Sequence, residues 1–461
     1  MPNSSSGSHS SSDLYDELQD DLPAERFSGG YRNYVLSLLL ITYILNHLDR
    51  QIVNILAEPI KRDLELADWQ LGLMGGFAFA LLYTVMGIPI ARLAEKGNRP
   101  AIIAIAIGVW SAFTALSGMA QNFWQLTMAR IGVGVGEAGC TPPAHSLIVD
   151  YTLPEKRASA LAFYGMGPAL GGLVGMSLGG IVADAYGWRT AFLIVGLPGL
   201  GLALLVWATL REPRKLFSRA QRKESEAGPS LNEALKYLLN KKTFWILAFA
   251  SSIKAFISYG KAVFIASFFL RSMSEEVSQS ATSLGGYVGY DLKPIGFLGI
   301  SLGLIFGVFG ALGTWLGGQI SDRYGPKDIK RYMYIGSLAA FATVPTFLGM
   351  LSVSSLHTAF VLLALFALAS GAAYGPTYTV IFSVVHPKMR ATTSAVMLFT
   401  VNLIGLGFGP LFVGILSDHM TDRYGYADGL RIALFIIGSL GLVASALYLA
   451  ASRTVANEIH K

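Results

Sequence analysis

At 461 residues the chain could hold about three soluble domains, but it is 53% hydrophobic and only 14% charged, with 51 glycines and a mean hydropathy of +0.50. That balance excludes an ordinary soluble enzyme and defines a polytopic membrane protein. One cysteine, Cys140, excludes an internal disulfide, a CxxC redox pair and a thiolate metal site. The net charge of +6 would suit nucleic acid unless membrane topology accounts for it.

A spanning helix needs roughly 20 mostly apolar residues. Residues 1–30 are Ser- and Asp-rich and read as a disordered tail, with no signal peptide. Twelve spans follow, at 34–60, 69–92, 100–120, 123–150, 158–183, 189–210, 243–271, 294–318, 331–352, 357–383, 392–417 and 430–451. They divide into six-helix halves at 31–210 and 243–452, with a linker at 211–242 and a tail at 453–461. Within the linker, SLNEALKYLLNKK (230–242) has Ser230 and Glu233 in capping-box register and reads as an amphipathic surface helix.

The basic residues follow topology. With both termini on one side, that side carries 24 Lys/Arg, the other 7, and 4 lie within spans. This asymmetry places both termini in the cytoplasm and removes the nucleic-acid reading. The chain is also duplicated. At an offset of 233, Pro143, Pro154, Arg157 and Ala158 meet Pro376, Pro387, Arg390 and Ala391. Gly87 and Arg92 likewise match Gly318 and Arg323 at an offset of 231. Corresponding spans are six apart, the parallel-repeat plan of many secondary transporters, whose substrate site lies near the midplane between the halves.

The motif Gly318, Asp322, Arg323, Gly325 and its relative after span two resemble the cytoplasmic-loop motif of the major facilitator superfamily. LDRQIVNILAEPIKRDL, RIGVGVGEAGCTPPAHSLIVDYTLPEKRASALAFYGMGPALGG and YGWRTAFLIVGLPGL are similar to bacterial members of the Spinster family. That resemblance covers nearly the whole chain. It implies alternating access around a cavity lined by spans one, four, seven and ten, and a bacterial inner-membrane location. The family's animal members export sphingosine-1-phosphate or lysophospholipids. Ala91 stands where the superfamily usually has Asp, so a gating salt bridge cannot form on that carboxylate; Asp322 retains it in the second half. Arg92, Asp322 and Arg323 are accordingly expected to gate.

Charged residues inside spans are expensive and functional by default. Asp49 and Arg50 are adjacent, about 100° apart on a helix, and cannot pair face to face. Arg130 and Glu137 lie seven apart on one face of span four. The implied cavity would bring all four together, with Arg50 and Asp49 facing Glu137 and Arg130. Arginine stays charged, so Asp49 and Glu137 are the candidate proton carriers, driven by a proton gradient and without a cofactor. The plainer alternative is a charge network that stabilises one facing state; for Arg130, coupling and gating stay open. Arg130 and Glu137 correspond to Leu363 and Ser370, so proton chemistry belongs to the N-terminal half.

In span seven, Lys254 and Lys261 are seven apart on one face and suit an anionic headgroup, or snorkel to the interface. Tyr259, Tyr374 and Tyr378 are candidate substrate contacts, and His47 is a candidate relay or contact. Pro142-Pro143 and Gly375-Pro376 read as hinges; Gly171, Gly172, Gly175 and Gly179 as a close helix contact. The GxSxG around Ser177 lies mid-helix, the wrong context for a nucleophile, and no Walker A, HExxH or zinc spacing occurs. The expectation is therefore an all-α, monomeric, non-enzymatic transporter of an amphiphilic anionic lipid. A drug exporter, an organic-anion carrier or an uncoupled facilitator is the alternative.

Overall fold

The computed structural model describes residues 27–216, 231–386 and 389–459. Most of the expected N-terminal tail, and Ser230 of the expected capping box, lie outside these residues. All twelve expected spans are helical. Ten meet the length and hydropathy of a membrane crossing: Asp68–Glu95, Arg99–Ser117, Ser159–Tyr186, Trp188–Thr209, Lys242–Ser272, Pro294–Lys327, Lys330–Ser352, Leu356–Ser383, Thr392–Tyr424 and Tyr426–Glu458. The other two are span one, Gly29–Asp63, and span four, Phe123–Glu137 continued by Thr141–Tyr151. These two hold Asp49, Arg50, Arg130 and Glu137, and span four is divided into helices of 15 and 11 residues, each too short to cross alone.

Spans four and ten are both interrupted at the expected hinges. Span four breaks between Glu137 and Thr141, and Pro142-Pro143 open its second segment; span ten breaks at Ala373, three residues before Pro376. Proline has no N–H to continue the preceding helix, but it fits the first turn of a new one. Gly171 and Gly175 pack span five onto span one as expected. A Cβ on Gly171 would stand 2.5 Å from the Ile44 carbonyl oxygen.

Within each half the chain returns to the end it left. The Tyr31 hydroxyl, at the start of span one, donates to the Thr209 carbonyl at the end of span six, 2.8 Å. The Glu458 carboxylate accepts from the backbone N–H of Lys242 and Thr243 at the start of span seven. The far ends of spans one and seven meet each other through Glu58 and Arg271. Both termini of the bundle therefore share one end, called here the terminal end; the opposite is the far end.

One element was not expected. Residues 274–288 form a helix, Ser274–Val288, where the sequence reads as a polar loop. Glu275 and Glu276 favour its N-terminus, and Gly289 closes it in the left-handed conformation (φ 71°). Glu276 accepts from the backbone N–H of Leu356 (2.6 Å), tying this helix to the start of span ten. The linker helix is present as Leu231–Leu239, with Leu238 buried in the cluster formed by Phe244, Val380, Ile381 and Val384.

Candidate transport site

Span one presents its two charges to different neighbours. Arg50 reaches span four, where its Nε donates to Glu137 Oε2 at 2.6 Å. Its guanidinium lies over the rings of Phe79 (5.0 Å) and Tyr83 (4.6 Å) on span two. Cation–π contact of this kind stabilises an arginine that a dry site would otherwise penalise. Asp49 and Arg130 sit in the same electrostatic neighbourhood as Glu137. Each is only 2% exposed and Glu137 1%, so all three are shielded from solvent.

The expected arrangement forms in part. Arg50 pairs with Glu137, but no Asp49–Arg130 ion pair exists within 4.0 Å among the described residues. Arg130 stands instead over the Phe79 ring, 5.5 Å from its centroid. Glu137 Oε1, Asp49 Oδ1, and Arg130 Nε and Nη1 are buried without a protein hydrogen-bond partner. So is the hydroxyl of Thr114, beside Asp49 on span three, which sequence reasoning passed over. One carboxylate is clamped and the other is not.

The C-terminal half supplies cations without acids. Lys254 is half-buried and donates to the Ser370 carbonyl, 3.2 Å away. Lys261 is deeper, 5% exposed, with its Nζ 3.9 Å from the Phe306 ring and 5.1 Å from that of Phe366. Among the described residues neither lysine has a carboxylate partner. Tyr374 is exposed and its ring lies tilted against that of half-buried Tyr378, centroids 4.7 Å apart; Tyr259 is half-buried on the lysine-bearing span. His47 packs edge-on to Tyr43 and against Gly171, which places it in the contact between spans one and five.

The halves are locked together at the far end. Arg271 of span seven bridges Glu58 (2.8 Å) and Asp68 (2.8 Å), the start of span two. Lys61 also pairs with Asp68, the Tyr426 hydroxyl donates to Glu58, and Ser417 donates to Asp68. The Asp418 carboxylate accepts from the backbone N–H groups of Asp68 (2.9 Å) and Trp69 (2.8 Å). On the other side of the molecule, Asp184 accepts from the N–H of Gly296 at 2.6 Å. Two helix seams run beneath these contacts. A Cβ on Gly72 would lie 2.2 Å from the Pro410 carbonyl oxygen, and one on Gly299 equally close to that of Met176.

The terminal end differs. Arg92, Asp322 and Arg323 are exposed and form no ion pair among the described residues. The inter-half hydrogen bonds and ion pairs described above all lie at the far end. The bundle is thus sealed there.

A bundle of twelve spans in two related halves, sealed at one end and carrying buried charge at its middle, has the form of an alternating-access carrier. The chain matches the Major Facilitator Superfamily over residues 39–410 and belongs to that family. It is 32% identical, with a TM-score of 0.82, to a crystal structure of a bacterial homologue of the human lysosomal transporter Spinster. That structure is inward-facing and unoccupied, and the match covers 94% of this chain and 100% of that one. An MFS-type efflux pump from Mycolicibacterium smegmatis is 31% identical over 92% of this chain and 93% of its own. The sphingosine-1-phosphate transporter SPNS2 of Danio rerio is 24% identical, covering 88% and 82% respectively. The protein is an integral multi-pass membrane transporter of the Spinster-like kind, and not an enzyme.

Proposed function

We propose that this protein moves an amphiphilic anionic lipid, of the lysophospholipid or sphingosine-1-phosphate class, across the bacterial inner membrane, coupled to protons through Asp49 and Glu137. The observation that carries the reading is the buried Arg50–Glu137 pair beside an unpaired Asp49, opposite a span that bears Lys254 and Lys261. With the termini in the cytoplasm, as the basic-residue count favours, the sealed far end is periplasmic and this state faces inward. In it, Asp49 carries the proton and Arg50 holds Glu137. Loss of the proton restores a carboxylate beside Arg130, and that new attraction biases the bundle towards the outward-facing state. An entering anion drawn to Lys254 and Lys261 stabilises the inward-facing site by charge. Apolar surface along the spans accommodates a lipid tail. One chain contains both halves of the cavity, so a monomer suffices.

A second reading has its own support. The similarity to an efflux pump, together with the aromatic surfaces of Tyr374 and Tyr378, favours export of drug-like amphiphiles, and the lysines would also suit a small organic acid. Flux measured in proteoliposomes separates these. Transport of a lysophospholipid in preference to a cationic dye or a sugar acid is expected; the reverse preference contradicts the lipid assignment.

A further inference from the structure

A cavity of about 350 Å³ opens at the terminal end, outside the central site. It lies between the first turns of span one (Gly29, Arg32, Asn33, Leu36), the end of span four (Tyr151, Thr152), and the start of span five (Lys156, Ser159, Phe163). Among the described residues, two cations line it and no carboxylate does. Thr152 is 7% exposed, and its hydroxyl is buried at the cavity wall without a protein hydrogen-bond partner. The N-terminal turn of the 35-residue helix of span one also contributes to the wall through Gly29. Ser28 Oγ already accepts from the Tyr31 N–H there, so the helix start adds its dipole to the wall and not a set of free donors.

The lining changes character towards the bilayer. Leu36 and Phe163 form its apolar side. From Phe163 an exposed apolar stripe continues along span five through Met166, Leu170 and Val174, at helical spacing of three and four. Gly171 and Gly175 of that helix are packed on span one, and Leu173 and Met176 on span eight, so the stripe is left facing outward, to the lipid. A polar, basic pocket at the interface joined to an apolar track has the shape of a phospholipid: phosphate in the pocket, acyl chain along the helix.

We propose that this cavity binds the phosphate of an anionic membrane phospholipid, such as phosphatidylglycerol. Arg32 and Lys156 supply the charge, and Thr152, Asn33 and Ser159 the polar contacts. Basic pockets between spans on the cytoplasmic side recognise anionic headgroups in this way. The site is separate from the central transport cavity and does not depend on what that cavity carries.

The test is native mass spectrometry of the full chain released from nanodiscs that contain equal phosphatidylglycerol and phosphatidylcholine. Retention of phosphatidylglycerol over phosphatidylcholine is expected. The double substitution Arg32→Gln, Lys156→Gln should lower the retained anionic lipid about tenfold, and Thr152→Val, which keeps the shape, should lower it several-fold. Inorganic phosphate in millimolar excess should leave the lipid bound. Equal retention of the two lipids, or undiminished retention in Thr152→Val and the double variant, overturns the proposal. Displacement by inorganic phosphate overturns it differently, by showing a site for the free anion. Should the double variant fail to fold, Lys156→Gln alone and Thr152→Val decide.

Discussion

Asp184 and Asp418 perform the same task in opposite halves of the molecule. Asp184 ends span five and caps the start of span eight; Asp418, near the end of span eleven, caps the start of span two. Each is preceded four residues earlier by a glycine that lies against the backbone it caps. A Cβ on Gly180 would meet the Ile295 carbonyl oxygen at 2.6 Å, and one on Gly414 that of Asp68 at 2.3 Å. The sequences are Gly180-Ile181-Val182-Ala183-Asp184 and Gly414-Ile415-Leu416-Ser417-Asp418, a repeat at an offset of 234. Each carboxylate stabilises a helix N-terminus belonging to the other half, so both contacts must break for the far end to open.

Neutralising these caps should loosen the seal. A carboxylate at a helix N-terminus contributes about 0.3–1 kcal/mol, and up to about 2 when partly buried. Asp184→Asn with Asp418→Asn should therefore shift the population towards far-end opening several-fold. Spin labels at Trp124 and Asp422, in a Cys140→Ser background, should report a longer or broader distance distribution. An unchanged distribution would mean that the seal rests on the Arg271 network alone.

Arg271 is the other half of that seal. Its side chain is fully buried between two carboxylates that are themselves buried. Arg271→Gln removes the cation that the two acids share and leaves Asp68 with Lys61 and Glu58 with the exposed Arg62, at a cost of about 3 kcal/mol to this state. Melting in detergent should show a lower Tm, and transport should fall because the sealed state is no longer populated. Arg271→Lys should recover less than half of the loss, because lysine cannot fork to two carboxylates.

Much of this organisation is legible from sequence. Apolar runs, basic asymmetry and the Pro143/Pro376 repeat were enough to place twelve helices and two hinges. Arg130 and Glu137, seven apart in an apolar run, announce themselves as a shared face. The far-end network was not recognised, because Glu58, Asp68, Arg271 and Asp418 sit at span ends, where charge ordinarily meets water. Its signal was present in the repeated Gly-Ile-x-x-Asp motif. The helix Ser274–Val288 was missed because SEEVSQSATSLGGYV has the composition of a loop and gains its order from contacts such as Glu276 to Leu356. Pairing within the central cluster was only half legible: spacing shows that two side chains share a face, but not that Arg130 will settle on the Phe79 ring.

Lys261 is a case in which stability and function should pull apart. A buried ammonium without a carboxylate is costly to the folded state. Lys261→Met should raise the Tm in detergent while weakening binding of an anionic lipid at least tenfold. A lysine with a purely structural role would lose stability on the same substitution.

At the terminal end, Arg99 is fully buried and joins Glu212, Asp150 (2.6 Å) and Ser146. Burial alone would push the Glu212 carboxyl up, but the hydrogen bonds and charge of Arg99 outweigh it and hold it below the ordinary carboxylate value. Because the folded-state value is depressed, this contribution is present above the unfolded carboxylate range. It is lost as pH falls through and below about 4.3. Melting curves should show wild-type Tm falling over that window, with a smaller dependence in Glu212→Gln. That variant should already be about 3 kcal/mol less stable at pH 7.

The account turns on whether the unpaired Asp49 carries the proton, and gradient-driven lysophospholipid flux in proteoliposomes tests this directly. Wild-type protein should accelerate and concentrate the lipid under an imposed pH gradient. Asp49→Asn should still equilibrate the lipid down its own gradient but respond to pH no more than empty liposomes do. Full gradient-driven accumulation by Asp49→Asn would contradict the mechanism.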